Sequence, residues 1–329
     1  MTTGTSGTEP RSEDEALAKA AAVAGSAPSI HNTQPWRWRT EPGALELWAE
    51  HSRRLSVTDP DGRMLTISCG AALHHARVAL AAQGYAPDVR PFPEPEHPDH
   101  LARVRVAARV PVTPAAMRLF HTISLRHTDR RPVTPEPVDE ASLRAIVDAV
   151  EAEGVSLHAL RHEQVVELAA LVARAQDVEG ADEAWRAEVA HWVGDTRPAG
   201  SGVPDPNIPA STPQTTVPER DFGRYGTLPV GAEHDTAATY AILYGDEDTP
   251  PAWLRAGQAL SAGWLTASEL GVAVMPLSAP IEVPATRQAL RVLVSGLGFP
   301  YLVVRLGKAD PEHHGPYAAP RLPADSVIE

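Results

Sequence analysis

Three features of the sequence predict an α+β fold. Stretches with the 3.6-residue period of amphipathic helices interleave with short alternating or β-branched runs that read as strands. A succession of helix, strand and long helix runs through the chain twice, in two unequal passes. And one long helical stretch, ISCGAALHHARVALAAQGY, resembles a later one, LRAGQALSAGWLTASELGV: small residues, then an amphipathic helix, then an exit through glycine. That likeness predicts an internal duplication.

The elements follow in order. Residues 1–12 are polar and read as a flexible tail. EDEALAKAAAVA predicts a helix over Glu13 to Ala24, left through a Gly and a Pro in GSAPSIHNTQPWRW. WRWRTE and ALELWAEH predict two strands, and HSRRLSVTDPDGRML, with its Asp-Pro and Asp-Gly pairs, a turn-rich connection. ISCGAALHHARVALAAQG predicts a helix closed by Gly84, and LARVRVAARV alternates as a strand does. The second pass begins with helical TPAAMRLFHTISL and the basic, proline-studded RHTDRRPVTPEPV. Helical DEASLRAIVDAVEAEG, the short strand VSLHAL and helical HEQVVELAALVARAQ come next. TYAILYG and YLVVRLG predict strands, PPAWLRAGQALSAGWLTASELG and PATRQALRVLVSGLG helices. Residues 193–231 exceed an ordinary connection, which leaves two readings: a cover over a site, for which Ile208, Phe222, Tyr225 and Leu228 supply packing groups, or disorder.

Composition sets the bounds. With 329 residues, 43% of them hydrophobic, the chain can bury a sizeable core. No apolar run nears the roughly 20 residues of a membrane span, and the acidic N-terminal stretch lacks the pattern of a secretory signal. A cytoplasmic, membrane-free protein is expected. A net charge of −13 disfavours nucleic acid, which needs a basic surface. Cys69 is the only cysteine, so there is no internal disulfide and no thiolate metal cluster. Lys19 and Lys308 are the only lysines, leaving arginine to supply almost all positive charge.

Several chemistries lack their residues. AGSGVP and GLGFP do not complete G-x-G-x-x-G, and there is no Walker-type motif. Of the 14 histidines, His74 and His75, His97 and His100, and His313 and His314 form no ligand spacing. They read as surface or singly bonded side chains, and no metal is expected. No G-x-S-x-G is present, and Cys69 lies on an alanine-rich helix. The densest positive cluster is RHTDRRP, with Arg126, Arg130 and Arg131 beside His127 and Thr128. It is either a solvated run balanced by Asp129 or a site for a terminal phosphate. Arginines bind such a dianion in bidentate geometry, and Arg321 in APRLP could complete the cage.

RHTDRRPVTPEPV resembles the R-R-S-x-R-x-F…P-V motif of the flavin-dependent nitroreductases, and APSIHNTQPW their A-P-S-x-x-N-x-Q-P-W wall. The resemblance implies that Arg126, Thr128 and Arg130, with His127 in the second Arg position, hold FMN phosphate and ribityl. It implies that Pro28, Ser29, Ile30, Asn32 and Gln34 form the wall beside the ring. AVMPLSA stands where the family offers a backbone amide to flavin N5, implying contacts at Pro276, Leu277, Ser278 and Ala279. APRLP is similar to the segment that returns Arg321 to the phosphate. In the ordinary family the phosphate motif precedes the wall within one subunit of a homodimer. Here the wall comes first, and AVEAEGVSLHAL stands where a second wall would follow the arginine motif. This order resembles the Acg-type nitroreductase-like proteins. It implies two tandem halves, 13–112 and 113–329, that form a pseudo-dimer with central mixed or antiparallel sheets flanked by helices, one flavin site between them, and a monomer.

The implied function is NAD(P)H-dependent reduction of a small planar acceptor (nitroaromatic, quinone or activated alkene) on bound FMN, with no protein side chain required as a catalytic acid or base. The alternative is a protein that holds or stores FMN under a closed cover with little turnover. Family members place lysines near the flavin pyrimidine and near the phosphate. Neither lysine of this chain lies at such a motif, so any cation there is arginine.

Overall fold

The computed structural model describes residues 12–231, 234–309 and 319–329. The expected tail lies outside these save for Ser12, as do His313 and His314. Ser12 starts the first helix: its Oγ accepts from the Glu15 amide, and the Glu15 carboxylate accepts from the Ser12 amide. This capping box, with three acidic residues in the first turn, suits a helix N-terminus. Helix α1 spans Glu13–Ala24, as the sequence predicts.

Two antiparallel four-stranded sheets follow. The first comprises β1 (Trp36–Glu41), β2 (Ala44–Ala49), β3 (Tyr85–Pro91) and β4 (His100–Arg109), in the order β1-β2-β4-β3. The second comprises β5 (Ser156–Ala159), β6 (Thr239–Gly245), β7 (Val272–Leu277) and β8 (Phe299–Lys308), in the order β5-β6-β8-β7. Both sheets therefore have the same connectivity. Strand β3, YAPDVRP, escapes sequence reading because two prolines interrupt it. It survives as an edge strand, where a missing N–H breaks no central ladder.

Each sheet sends one long helix across its middle connection. Helix α2 (Arg63–Ala82) joins β2 to β3, and α7 (Pro250–Glu269) joins β6 to β7. Both have 20 residues and both begin four residues before the stretches whose likeness marks the repeat. Helix α2 thus starts inside what reads as turn-rich sequence, at Arg63. Both exits pass through a left-handed glycine, Gly84 (φ 81°) and Gly271 (φ 70°).

The two helices cross backbone to backbone. A Cβ on Gly70 would lie 2.1 Å from the Leu254 carbonyl oxygen, and one on Gly257 would lie 1.9 Å from that of Ile67. Aligning the repeats pairs Gly70 with Gly257 and Ile67 with Leu254, so the contact is reciprocal, as across an isologous interface. Four residues on, the matching positions meet as well: His74 Nδ1 lies 2.9 Å from Ser261 Oγ. The cores are exchanged across this crossing. Met64 and Ile67 of α2 pack in the core of the second sheet, and Leu254 of α7 packs in that of the first.

The other helices frame the crossing. Helix α1 packs on α2, α4 (Glu140–Glu151) on α7, and α3 (Pro114–Leu125) on both long helices. Helices α5 (His162–Ala181) and α6 (Glu183–His191) lead into residues 193–231, and the short α8 (Ala279–Glu282) and α9 (Pro284–Leu293) follow β7. Residues 193–231 have a small core of their own, in which Val193, Val203, Ile208 and Phe222 pack with Trp185 and Val189 of α6. The last residues cross to the first sheet. The Trp38 and Thr40 amides donate to the Val327 and Glu329 carbonyls, and the Glu329 amide donates to the Trp38 carbonyl. No helix among the described residues is long and apolar enough to cross a membrane.

Candidate functional site

A cavity of about 340 Å³ opens beside the crossing of α2 and α7, within the range of small-molecule sites. Ile67, Ser68 and Ala71 of α2 and Leu260 and Trp264 of α7 line it between the sheets. Pro28, Ser29, Ile30 and Asn32 contribute from the first half, and Met275, Pro276 and Ser278 from the end of β7. Arg126, His127, Thr128 and Arg130 join from the loop after α3, and Arg321 from the C-terminal segment. Eleven of the fourteen residues singled out in the sequence thus line one cavity. Gln34, Leu277 and Ala279 do not: all three are buried nearby. Gln34 instead ties segments together, donating to the Gly200 carbonyl and accepting from the Leu322 amide.

The wall is a strained turn. His31, Asn32 and Gln34 all have positive φ (43°, 55° and 51°), a region that non-glycine residues adopt at a cost and that clusters at functional sites. Side chains hold the turn in place. Ser29 Oγ accepts from the Gln34 amide and Ser68 Oγ from the Ile30 amide. Asn32 Nδ2 donates to the Gly202 and Pro320 carbonyls, and Asn32 Oδ1 accepts from Arg321.

The positive cluster divides on folding. Arg131 turns away into an ion pair with Asp129 and does not line the cavity. Arg305, buried on the central strand β8, holds the loop by donating to the carbonyls of Asp129 and Arg131. Arg126 and Arg321 make one pole of the cavity. Both donate to the Ser26 carbonyl, and Arg126 lies over the Trp264 ring at 4.8 Å. Among the described residues neither has a carboxylate partner, and Arg126 Nε is buried with no hydrogen bond. Burial, then the neighbouring Arg321 charge, brings Arg126 down to about 9, and burial brings Arg321 down to about 10.

The other pole mixes signs. Arg130 donates to the Asn207 carbonyl and lies over Phe222, 5.5 Å from its centroid. Burial brings it to about 10, against the pull of Glu219 and Asp129. Glu219 and Arg220 come from the 193–231 segment. Arg220 donates to Ser278 Oγ and pairs with Glu282, with Glu179 3.6 Å away. Burial pushes the Glu179 carboxyl up, whereas Arg220 outweighs burial at Glu282 and keeps that carboxyl low. His31 packs edge-on to Phe222, and burial lowers it to about 3, leaving a neutral imidazole.

His74 and His75 are core residues rather than surface ones, and burial keeps both neutral. Among the described residues no group of three or more His, Cys, Asp or Glu side chains is placed to hold a metal ion. The contributions of Glu219, Arg220, Phe222 and Trp264 carry no motif in the sequence, and Met275 lies within AVMPLSA without being singled out. Only the aromatic content of the long 193–231 segment hinted at its part.

Two Mycobacterium tuberculosis proteins match nearly the whole chain. The one named "Putative NAD(P)H nitroreductase Rv3131" is 37% identical over 314 residues, covering 93% of this chain and 89% of the relative. The one named "Putative NAD(P)H nitroreductase acg" is 32% identical over 325 residues, 95% of each. The chain belongs to the nitroreductase-like family. No family model matches the chain. Among solved structures, an FMN-bound nitroreductase from Bacteroides fragilis aligns with 64% of this nitroreductase-like chain and 96% of its own, at 17% identity and a TM-score of 0.40. The FMN- and NADPH-dependent nitroreductase NfnB aligns over 64% and 97%, at 19% identity and a TM-score of 0.40.

Proposed function

We propose that the cavity binds FMN and that the protein is an NAD(P)H-dependent oxidoreductase acting on a small planar acceptor. One observation carries this reading: buried Arg126 and half-buried Arg321 converge, with no carboxylate partner among the described residues, at one end of a largely apolar slot. A buried guanidinium with no counter-charge beside it is costly unless an anion completes it. A phosphate does so, and the orphaned Arg126 Nε is a donor in search of an acceptor. The lining suits FMN: Arg126 and Arg321 would hold its phosphate, His127, Thr128 and Arg130 its ribityl chain, and Pro28–Ile30 and Pro276–Ser278 would flank its ring. Leu277, Ala279 and Gln34 support these walls from behind.

When bound, FMN supplies two-electron transfer between a nicotinamide and the acceptor. The residues of the chain bind and orient it. The cover excludes water through Phe222, and Asn32 latches that cover to the first half. Helix α3 and its arginine motif belong to one half and the wall to the other. We therefore read the chain as two tandem nitroreductase halves, 13–112 and 113–329, forming a pseudo-dimer with one flavin site, with 193–231 as its lid and a monomer as the complete unit. The repeated strand order and the reciprocal glycine contact support this reading.

A second reading, storage or sequestration of FMN, draws on the latch: the lid is fastened to the wall through Asn32 and Gln34. Stopped-flow mixing of the FMN-loaded protein with NADH or NADPH separates the two. Bleaching of the flavin within seconds, restored by a quinone or nitroaromatic, supports the oxidoreductase. A flavin that dithionite reduces but neither nicotinamide does supports sequestration. Protein that takes up no added FMN rules out both.

A further inference from the structure

At the mixed-sign pole, Glu219 stands out. It reaches the cavity from the 193–231 segment, far from either sequence motif, and its side chain is only 6% exposed. One carboxylate oxygen, Oε1, accepts from Arg305. The other, Oε2, is buried and has no hydrogen-bond partner among the described residues. Its backbone is fixed too, because Gln176 of α5 donates to the Glu219 carbonyl. A buried carboxylate oxygen without a hydrogen-bond donor is unfavourable, and no described residue supplies one.

This is a rigid acceptor held in a ligand cavity by a strand-borne arginine, with a second cation, Arg130, beside it. A ligand edge matching the pair presents an N–H next to a carbonyl oxygen. The cyclic imide of an isoalloxazine ring has that pattern, an N–H flanked by carbonyls. We propose that Glu219 accepts a hydrogen bond from the flavin imide N–H, so that the lid recognises the ring edge rather than merely covering it. The inference rests on the FMN reading above and extends it to a residue outside the family resemblance.

The electrostatics give a signature. Burial first, and only then the opposing pull of Arg305 and Arg130, sets the Glu219 carboxyl, which stands at about 7. The groups facing it are Arg305 of β8, Arg130 of the arginine loop, Asp235 in the loop before β6 and Tyr240 on that strand. The accepting form is the carboxylate. An imide N–H therefore favours the ionised group, and binding releases its proton where it was still held. FMN affinity should rise by about tenfold from pH 6 to pH 8 through this one group, in addition to whatever the ligand phosphate and the other side chains contribute.

The test is FMN titration by fluorescence quenching across pH 6 to 8.5, comparing the wild-type chain with Glu219→Gln. Glutamine keeps the shape and the accepting oxygen but cannot ionise, so the difference between the two curves isolates Glu219. The proposal expects the variant to lose about tenfold of the pH dependence. It also expects FMN methylated at the imide nitrogen to bind the wild-type chain at least tenfold more weakly than FMN, with no such Glu219-dependent rise. Parallel pH curves, or a methylated flavin that binds as well as FMN, overturn the assignment while leaving the flavin reading intact. No FMN uptake by the wild-type chain at any pH overturns both. The methylated-flavin arm needs no variant, so it decides the matter even if Glu219→Gln folds poorly.

Discussion

The two long helices α2 and α7 invite direct comparison, since they share length, register and a reciprocal glycine crossing, yet carry different chemistry at matching positions. Trp264 of α7 lies under Arg126 and lines the cavity. The matching residue of α2 is Arg77, and its guanidinium is already satisfied: it donates to Glu153 and to Gln258. An arginine with its own carboxylate is a structural tie, whereas Arg126 and Arg321, with none among the described residues, are the pair we propose as an anion site. The same scaffold thus carries the proposed binding site on one side and a polar clamp on the other. The difference lies in who neutralises the charge.

Breaking the crossing should have the largest effect, because it destroys both sides alike. Gly70→Val or Gly257→Val places a side chain onto a carbonyl of the opposing helix, and should cost about 3 kcal/mol or more, read as a lowered urea midpoint. Removing the uncompensated charge should act in opposite directions on ligand and fold. Arg126→Met should weaken FMN binding by roughly 10- to 100-fold, the equivalent of a charged hydrogen bond. In the FMN-free protein it should leave the thermal midpoint unchanged or raise it, since an unpaired buried charge is a burden to the fold. A marked fall in that midpoint would show that the Arg126 charge is compensated within the protein.

pH offers a second probe of the same pole. Because burial lowers the folded-state value of Arg126 to about 9, the unfolded chain holds more protons above that pH. The fold should therefore gain stability from this group as pH rises past 9, while FMN affinity falls as the guanidinium loses charge. Both trends should vanish in Arg126→Met.

Smaller effects should come from the latch and the clamp. Asn32→Ala removes hydrogen bonds to Gly202, Pro320 and Arg321 at once, and should raise the FMN dissociation rate by about tenfold. Arg77→Met should leave FMN affinity within about twofold, with a stability loss near 1 kcal/mol for a half-buried ion pair. An equal loss of flavin affinity at Arg77 and Arg126 would erase the asymmetry between the halves.

Much of this was legible in the sequence, and for physical reasons. Helices α1, α3, α4 and α7 announce themselves by their helical period, and the repeat around Gly70 and Gly257 survives because backbone contact tolerates no side chain there. Strand β3 was hidden because edge strands accept prolines that central strands reject. The residues drawn from the two motifs, Pro28, Ser29, Ile30 and Asn32 and Arg126, His127, Thr128 and Arg130, line one cavity. Glu219, Arg220 and Trp264 could not be read, because their roles depend on which charges end up facing them, and tertiary packing alone decides that. Arg131 shows the converse: part of the cluster in sequence, it folds away onto Asp129.

The central claim is that one cavity, completed by an anion at Arg126 and Arg321, holds one flavin. Anaerobic equilibrium titration of FMN-free protein with FMN, followed by absorbance and by the protein-to-flavin ratio after gel filtration, tests it most directly. The account predicts saturation at one FMN per chain, abolished in the double variant Arg126→Met, Arg321→Met. Two flavins per chain, none, or saturation unaffected by the double variant would contradict it.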